Sequence, residues 1–143
     1  MKVDVRQVKD HFSKQNDSCI DAERIKLYEA LTWELREISL AELGIWDKAQ
    51  GMPHEWCIEN MLETVKNYRK AKNHDGNYHT RIQHFLNNRK IGAVIAVCGK
   101  TKRGREECNE TRWAIDDGCM RAMALGLKGF NRIQCYLGVG SEN

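Results

Sequence analysis

The chain has 143 residues, 41% hydrophobic and 30% charged, the proportions of one soluble globular domain rather than a disordered or collagen-like chain. Its longest apolar run, Ile91 to Cys98, is eight residues and too short to span a bilayer. With Val3, Asp4, Val5 and Arg6 alternating where a leader would be basic then apolar, this predicts a cytoplasmic protein without a membrane partner.

Val5, Val8 and Phe12 recur at helical spacing until Asn16–Asp17–Ser18 breaks the pattern. Ser18 followed by Asp21 predicts the start of a second helix. The stripe Leu27, Leu31, Leu35 and Ile38, with Tyr28 beside it, carries that helix over residues 20–38. Ser39 with Glu42 caps a short helix that Gly44 and the Gly51–Met52–Pro53 turn bracket. Pro53 suits the first turn of the next helix, whose apolar face is Trp56, Met61, Leu62 and Val65 and which runs to about Lys72.

Asn73–Gly76 reads as a turn. Residues 78–86 fit a helix capped by Asn77, through Ile82, Phe85 and Leu86, although the same residues with Asn87–Asn88 would also make a hairpin strand. Gly92–Cys98 is a buried strand and Gly99–Arg105 a basic loop. Asn109 caps a helix over 110–126, with Ile115, Cys119, Ala122 and Met123 on one face and Gly129 at its end. Arg132–Val139 is a final strand. The expected fold is one α+β domain over residues 1–143, mainly helical to residue 72, then strand–loop–helix–strand. Its sheet would have two or three strands, the third coming from 78–86 or from a second subunit.

Charge divides the chain more sharply than hydropathy does. Residues 1–65 hold eight basic and thirteen acidic side chains, and residues 106–143 hold four and six. Between them, residues 66–105 hold eleven basic side chains against the single acid Asp75. Such a block repels itself unless it pairs with the flanking acidic segments or meets an anionic partner. Nucleic acid is the commonest such partner, because each neutralised phosphate releases a condensed counterion.

Other chemistries find less support. The six cysteines, Cys19, Cys57, Cys98, Cys108, Cys119 and Cys135, show no C-x-x-C pair and read as reduced thiols packed as small hydrophobes. His54 with Cys57, completed by His74, His79 or His84, is the only spacing that suggests a metal, so no metal or other cofactor is expected. Gly99–Lys100–Thr101 resembles the tail of a phosphate-binding P-loop, but Val94 stands where that loop needs glycine. Gly138 and Gly140 precede no helix that could bind a pyrophosphate. Glu106, Glu107, Glu110, Asp116 and Asp117 could serve a magnesium-dependent nuclease, but Glu110 and Asp117 would be two helical turns apart, and helix N-termini attract acids such as Glu106, Glu107 and Glu110 without any chemistry.

The sequence therefore points to a non-catalytic nucleic-acid-binding protein, for DNA or RNA, with weak sequence preference. Arg69, Lys70, Lys72, Arg81, Lys100, Lys102, Arg103 and Arg105 would contact phosphates, and Tyr78 or Tyr68 would stack on bases. One alternative is a protein-binding or inhibitory module docking an acidic partner. Another is a small phosphodiester-cleaving enzyme using Arg69 and His74. Tryptophan-rich helices beside an uncovered sheet edge also suggest a homodimer.

Overall fold

The computed structural model describes residues 1–16, 21–46, 48–88, 90–98 and 111–140. Strand β1 (Lys2–Val3) leads into α1 (Val5–Gln15), α2 (Ala22–Glu29) and β2 (Leu31–Ser39). A 3-10 turn at Leu40–Glu42 joins β2 to β3 (Leu43–Gly44), and 3-10 turns at Ala49–Gly51 and His54–Cys57 lead to α3 (Met61–Lys70). Then come α4 (Asn77–Leu86), β4 (Val94–Cys98), β5 (Trp113–Asp117), α5 (Cys119–Leu127) and β6 (Arg132–Gly140).

The strands form one six-stranded mixed sheet in the order β1-β2-β6-β4-β5-β3. β4 runs parallel to β6 and β3 parallel to β5, while the other neighbours are antiparallel. Alternation along each strand divides the core between the two faces. Ile95, Val97, Tyr136, Leu31 and Trp33 meet Val8, Phe12 and Tyr28 of α1 and α2 on one face. Val94, Ala96, Ile115, Ile133, Cys135 and Leu137 meet α3, α4 and α5 on the other. Gly138 lies opposite Trp33 in the register, and a Cβ there would come within 2.7 Å of the indole, so the glycine makes room for that ring.

The mixed α/β class expected from the sequence is present, but the sheet is larger than the two or three strands expected. Two predicted helices account for the difference. The helix expected over 20–38 ends at Glu29, and Leu31–Ser39 forms a strand paired with β6 along all its nine residues. Leu31 and Leu35, four apart, fit a helical stripe, yet with Trp33 between them they also alternate onto one face of a strand. The helix expected over 110–126 is likewise a strand and a helix, since Trp113–Asp117 pairs with β4 before α5 begins. The helix expected from Pro53 is a 3-10 turn followed by α3, whose N-cap is Asn60 accepting from the Glu63 amide at 3.0 Å. The added strands come from this chain, not from residues 78–86, which are helical, nor from a second subunit.

Candidate functional site

β5 ends at a cleft between the two helical layers, with a volume of about 290 Å3. Its walls come from the end of α1, from α2, from the segment after β3, from α4 and from the β5–α5 junction. The strand arrives there irregularly. Ile95 of β4 faces Asp117 but Ala96 faces Ile115, so Asp116 is the extra residue of a β-bulge. Bulges re-aim side chains, and they concentrate beside functional sites.

Two buried ion pairs result. The Asp116 carboxylate has no exposed surface; its Oδ2 accepts a 2.6 Å hydrogen bond from the Tyr28 hydroxyl and lies 3.0 Å from Arg24 Nε. Burial, and then the Asp116 charge, push the Tyr28 hydroxyl far above its ordinary pKa, so it remains a donor. Arg24 also lies over the Phe12 ring, 5.2 Å from its centroid. Asp117 Oδ2 accepts from Arg121 Nη2 at 2.6 Å and from Asn16 Nδ2 at 3.3 Å. Arg121 is itself buried and donates through Nη1 to the Ala93 carbonyl. Burial pulls its pKa down while Asp117 opposes the shift.

Between strand and helix stands Gly118, at φ +114°, a left-handed conformation that suits glycine. It is the N-cap of α5 and offers no side chain to the helix amides, so the uncapped end of α5 lies at residues lining the cleft. In the segment after β3, Lys48 and Gln50 are the only non-glycine residues at positive φ among the described residues, at 59° and 53°, and Gln50 lines the cleft. Each such residue stores about 1 kcal/mol or more of strain, which is tolerated where the surroundings fix the backbone. The mouth carries Trp46, 40% exposed, together with Phe85 and the exposed Arg81, whose guanidinium is 5.8 Å from the Phe85 centroid.

Of the residues expected from the sequence to contact nucleic acid, Arg81 alone lines this cleft, beside Asp116 and Asp117, which the sequence offered only as carboxylates for a nuclease. Arg69 reaches from α3 to the other end of α5, where its Nη2 donates to the carbonyls of Gly126 and Leu127 at 3.1 and 3.0 Å. The nine residues of α5 rise about 13 Å, so Arg69 and Arg81 are anchored at opposite ends of that helix. Lys70 and Lys72 are exposed beyond the end of α3. Lys100, Lys102, Arg103 and Arg105 lie outside the described residues, between Cys98 and Thr111. Cys98 pairs with Trp113, at the end of β5 away from the cleft.

The two tyrosines expected to stack on bases lie in the core. Tyr78 is 5% and Tyr68 7% exposed. Both pack edge-on against Trp56, and Tyr68 stacks on His74 with centroids 3.9 Å apart, so neither presents a free ring face. That stack, with Arg69 engaged on α5, also separates the tasks of Arg69 and His74. Among the described residues no three His, Cys, Asp or Glu side chains converge as metal ligands, and none of Cys57, Cys98, Cys119 and Cys135 is joined in a disulfide. Burial pushes the Cys135 thiol up to about 12. None of the described helices is long and apolar enough to cross a membrane.

Sequence reasoning missed Trp46, Asn16 and the role of Asp117. The available signal was Asp116–Asp117–Gly118, two acids and a glycine at the end of an apolar run, but helical spacing from Ile115 to Met123 obscured it. Searches of protein-family models, of curated proteins and of solved structures find no match to this chain.

Proposed function

We propose that the protein binds single-stranded nucleic acid, seating one nucleotide in the β5–α5 cleft while exposed basic side chains follow the adjoining backbone. One observation carries this reading: an exposed indole, Trp46, and the Arg81 guanidinium share the mouth of one cleft. An aromatic face and a cation side by side match the two parts of a nucleotide, its base and its phosphate. The cleft's volume of about 290 Å3 is near the lower end of the roughly 300–1,000 Å3 usual for small-ligand sites, enough for one nucleotide and too small for a duplex.

Charge supports the same reading. Arg24 and Arg121 are neutralised by Asp116 and Asp117, whereas Arg81 has no ion pair among the described residues. Lys70, Lys72 and Lys90 are exposed around it in sequence, and Lys100, Lys102, Arg103 and Arg105 add to the same basic block. Their contacts would be to phosphates, giving affinity with little sequence preference outside the cleft. No bond is made or broken in this role.

Fluorescence anisotropy with labelled single-stranded DNA and RNA tests it. Affinity should fall steeply as salt rises from about 50 to 200 mM. A flat salt response, or equal affinity for duplex and single strand, would overturn the reading.

A further inference from the structure

We infer that the cleft selects guanine for the one nucleotide it holds. The inference rests on the preceding reading that the cleft takes a nucleotide, and it concerns the hydrogen-bonding edge that the base presents inside.

Asn16 donates through Nδ2 to the Phe12 carbonyl at 2.8 Å and to Asp117 Oδ2 at 3.3 Å. Both amide hydrogens are thereby assigned, and Oδ1 remains as an acceptor with no donor among the described residues. Asp117 takes both of its hydrogen bonds on Oδ2, from Asn16 and Arg121, which leaves Oδ1 in the same condition. Asn16 and Asp117 both line the cleft, and each brings one oxygen acceptor that these hydrogen bonds do not use. They are held firmly, because Asp117 is tied to Arg121 and buried Arg121 is tied in turn to the Ala93 carbonyl. The Arg121 charge also offsets that of Asp117, so the pair can accept hydrogen bonds without repelling a nearby phosphate.

A base that fills this wall must bring donors on neighbouring atoms. Guanine does so with N1–H and the N2 amine, side by side on its Watson–Crick edge. Adenine and cytosine each place one amine beside a ring lone pair, which would face an acceptor. Uracil and thymine place one N–H between two carbonyls. A lone pair held against an unpaired, desolvated acceptor is unfavourable, so the wall both attracts guanine and rejects the others. Arg81, at the same mouth as the exposed Trp46, is the cation for the nucleotide's phosphate.

The test is anisotropy with a short labelled oligothymidylate carrying one central guanine, hypoxanthine, adenine or cytosine. Hypoxanthine keeps N1–H and lacks only the N2 amine. Calorimetry with free GMP, IMP and AMP forms a second arm. The expected result is that the guanine oligonucleotide binds about tenfold more tightly than the hypoxanthine one, the usual discrimination of a paired contact. In Asn16→Ala that ratio should fall towards one. Equal binding of all four oligonucleotides overturns the inference and leaves single-strand binding intact. GMP bound in preference to IMP, with no oligonucleotide bound, supports the guanine edge and overturns the nucleic-acid reading. Binding of neither overturns both, and a ratio that survives Asn16→Ala overturns the assigned acceptors. The wild-type comparison decides the matter even should the variant fail to fold.

Discussion

The Tyr28 hydroxyl, on the last turn of α2, donates a 2.6 Å hydrogen bond to the bulged Asp116 of β5, 88 positions further along the chain. That bond fastens α2 to the strand end that supplies the cleft. It also compensates the burial of that carboxylate, since Asp116 has Tyr28 and Arg24 in place of the water it lost. The buried ion pair is thus part of the support behind the cleft.

Tyr28→Phe keeps the ring packed on Phe12 and Trp33 and removes only the hydroxyl. Asp116 then keeps Arg24 but loses a charge-assisted donor, which should destabilise the fold by about 1.5–3 kcal/mol. Urea denaturation checks this, with the midpoint lowered and the slope unchanged. A loss no larger than that of a surface substitution would show that Arg24 holds the carboxylate alone.

Gly118→Ala should cost at least about 1 kcal/mol, because an L-residue is strained at a positive φ. The φ there is +114°, and the new methyl would fall 2.9 Å from Arg121 Nη2, the group that holds Asp117. Relief would require Arg121 to move. Thermal melting should therefore show lower stability, and ligand binding should weaken further than melting alone accounts for. A variant with full stability and unchanged binding would show that Arg121 yields freely.

The parts of this architecture that were legible in the sequence are those with one periodicity and a clear cap. α1 is announced by Val5, Val8 and Phe12, whereas Ile82, Phe85 and Leu86 point to α4 but leave a hairpin strand open, and its N-cap is Gly76 rather than the expected Asn77. β6 and β4 are apolar runs too short to be helices of a usual length. β2 and β5 were not legible, because Leu31/Leu35 and Ile115/Cys119 satisfy both a period of four and a period of two. What settles them as strands is pairing with β6 and β4, a non-local term that composition does not contain. The cleft was hidden for the same reason. Its aspartates lie at the end of β5, and with 110–126 read as one helix they fall inside that helix rather than at a strand end. Arg81 stands out through charge alone, whereas nothing in the sequence marks Trp46 as an exposed ring.

Stability should fall on mild acidification. The His11 Nε2 lies 2.7 Å from the Ala93 carbonyl, and burial, joined by nearby Arg121, holds the ring's pKa below its ordinary 6.5. His74, stacked on Tyr68, is lowered by burial and by neighbouring His79. A histidine with a lowered folded pKa is protonated first in the unfolded chain. Its stabilising contribution is therefore complete above about pH 6.5 and is lost as pH falls towards the lowered value. Urea midpoints measured from about pH 7.5 down to pH 5 should decrease, and His11→Gln, which retains an N–H donor, should reduce the slope. An unchanged slope would place the dependence on other groups.

Arg69 and Arg81 make the sharpest contrast, because both belong to the basic block and they sit at opposite ends of α5. Arg69 holds two terminal carbonyls, so Arg69→Ala should lower stability by roughly 1–2 kcal/mol through lost helix capping, with a modest effect on binding. Arg81 makes no such bond among the described residues and lines the cleft, so Arg81→Ala should leave the melting temperature nearly unchanged. It should instead weaken oligonucleotide binding and reduce the salt slope by about one counterion. Trp46→Ala should weaken binding by about 1–3 kcal/mol, the value of one base stacked on an aromatic ring, with a smaller dependence on salt. Paired melting and anisotropy measurements on the three variants separate the roles. If Arg69→Ala abolished binding without loss of stability while Arg81→Ala and Trp46→Ala bound normally, the ligand would lie at the C-terminal end of α5 rather than in the cleft at its start.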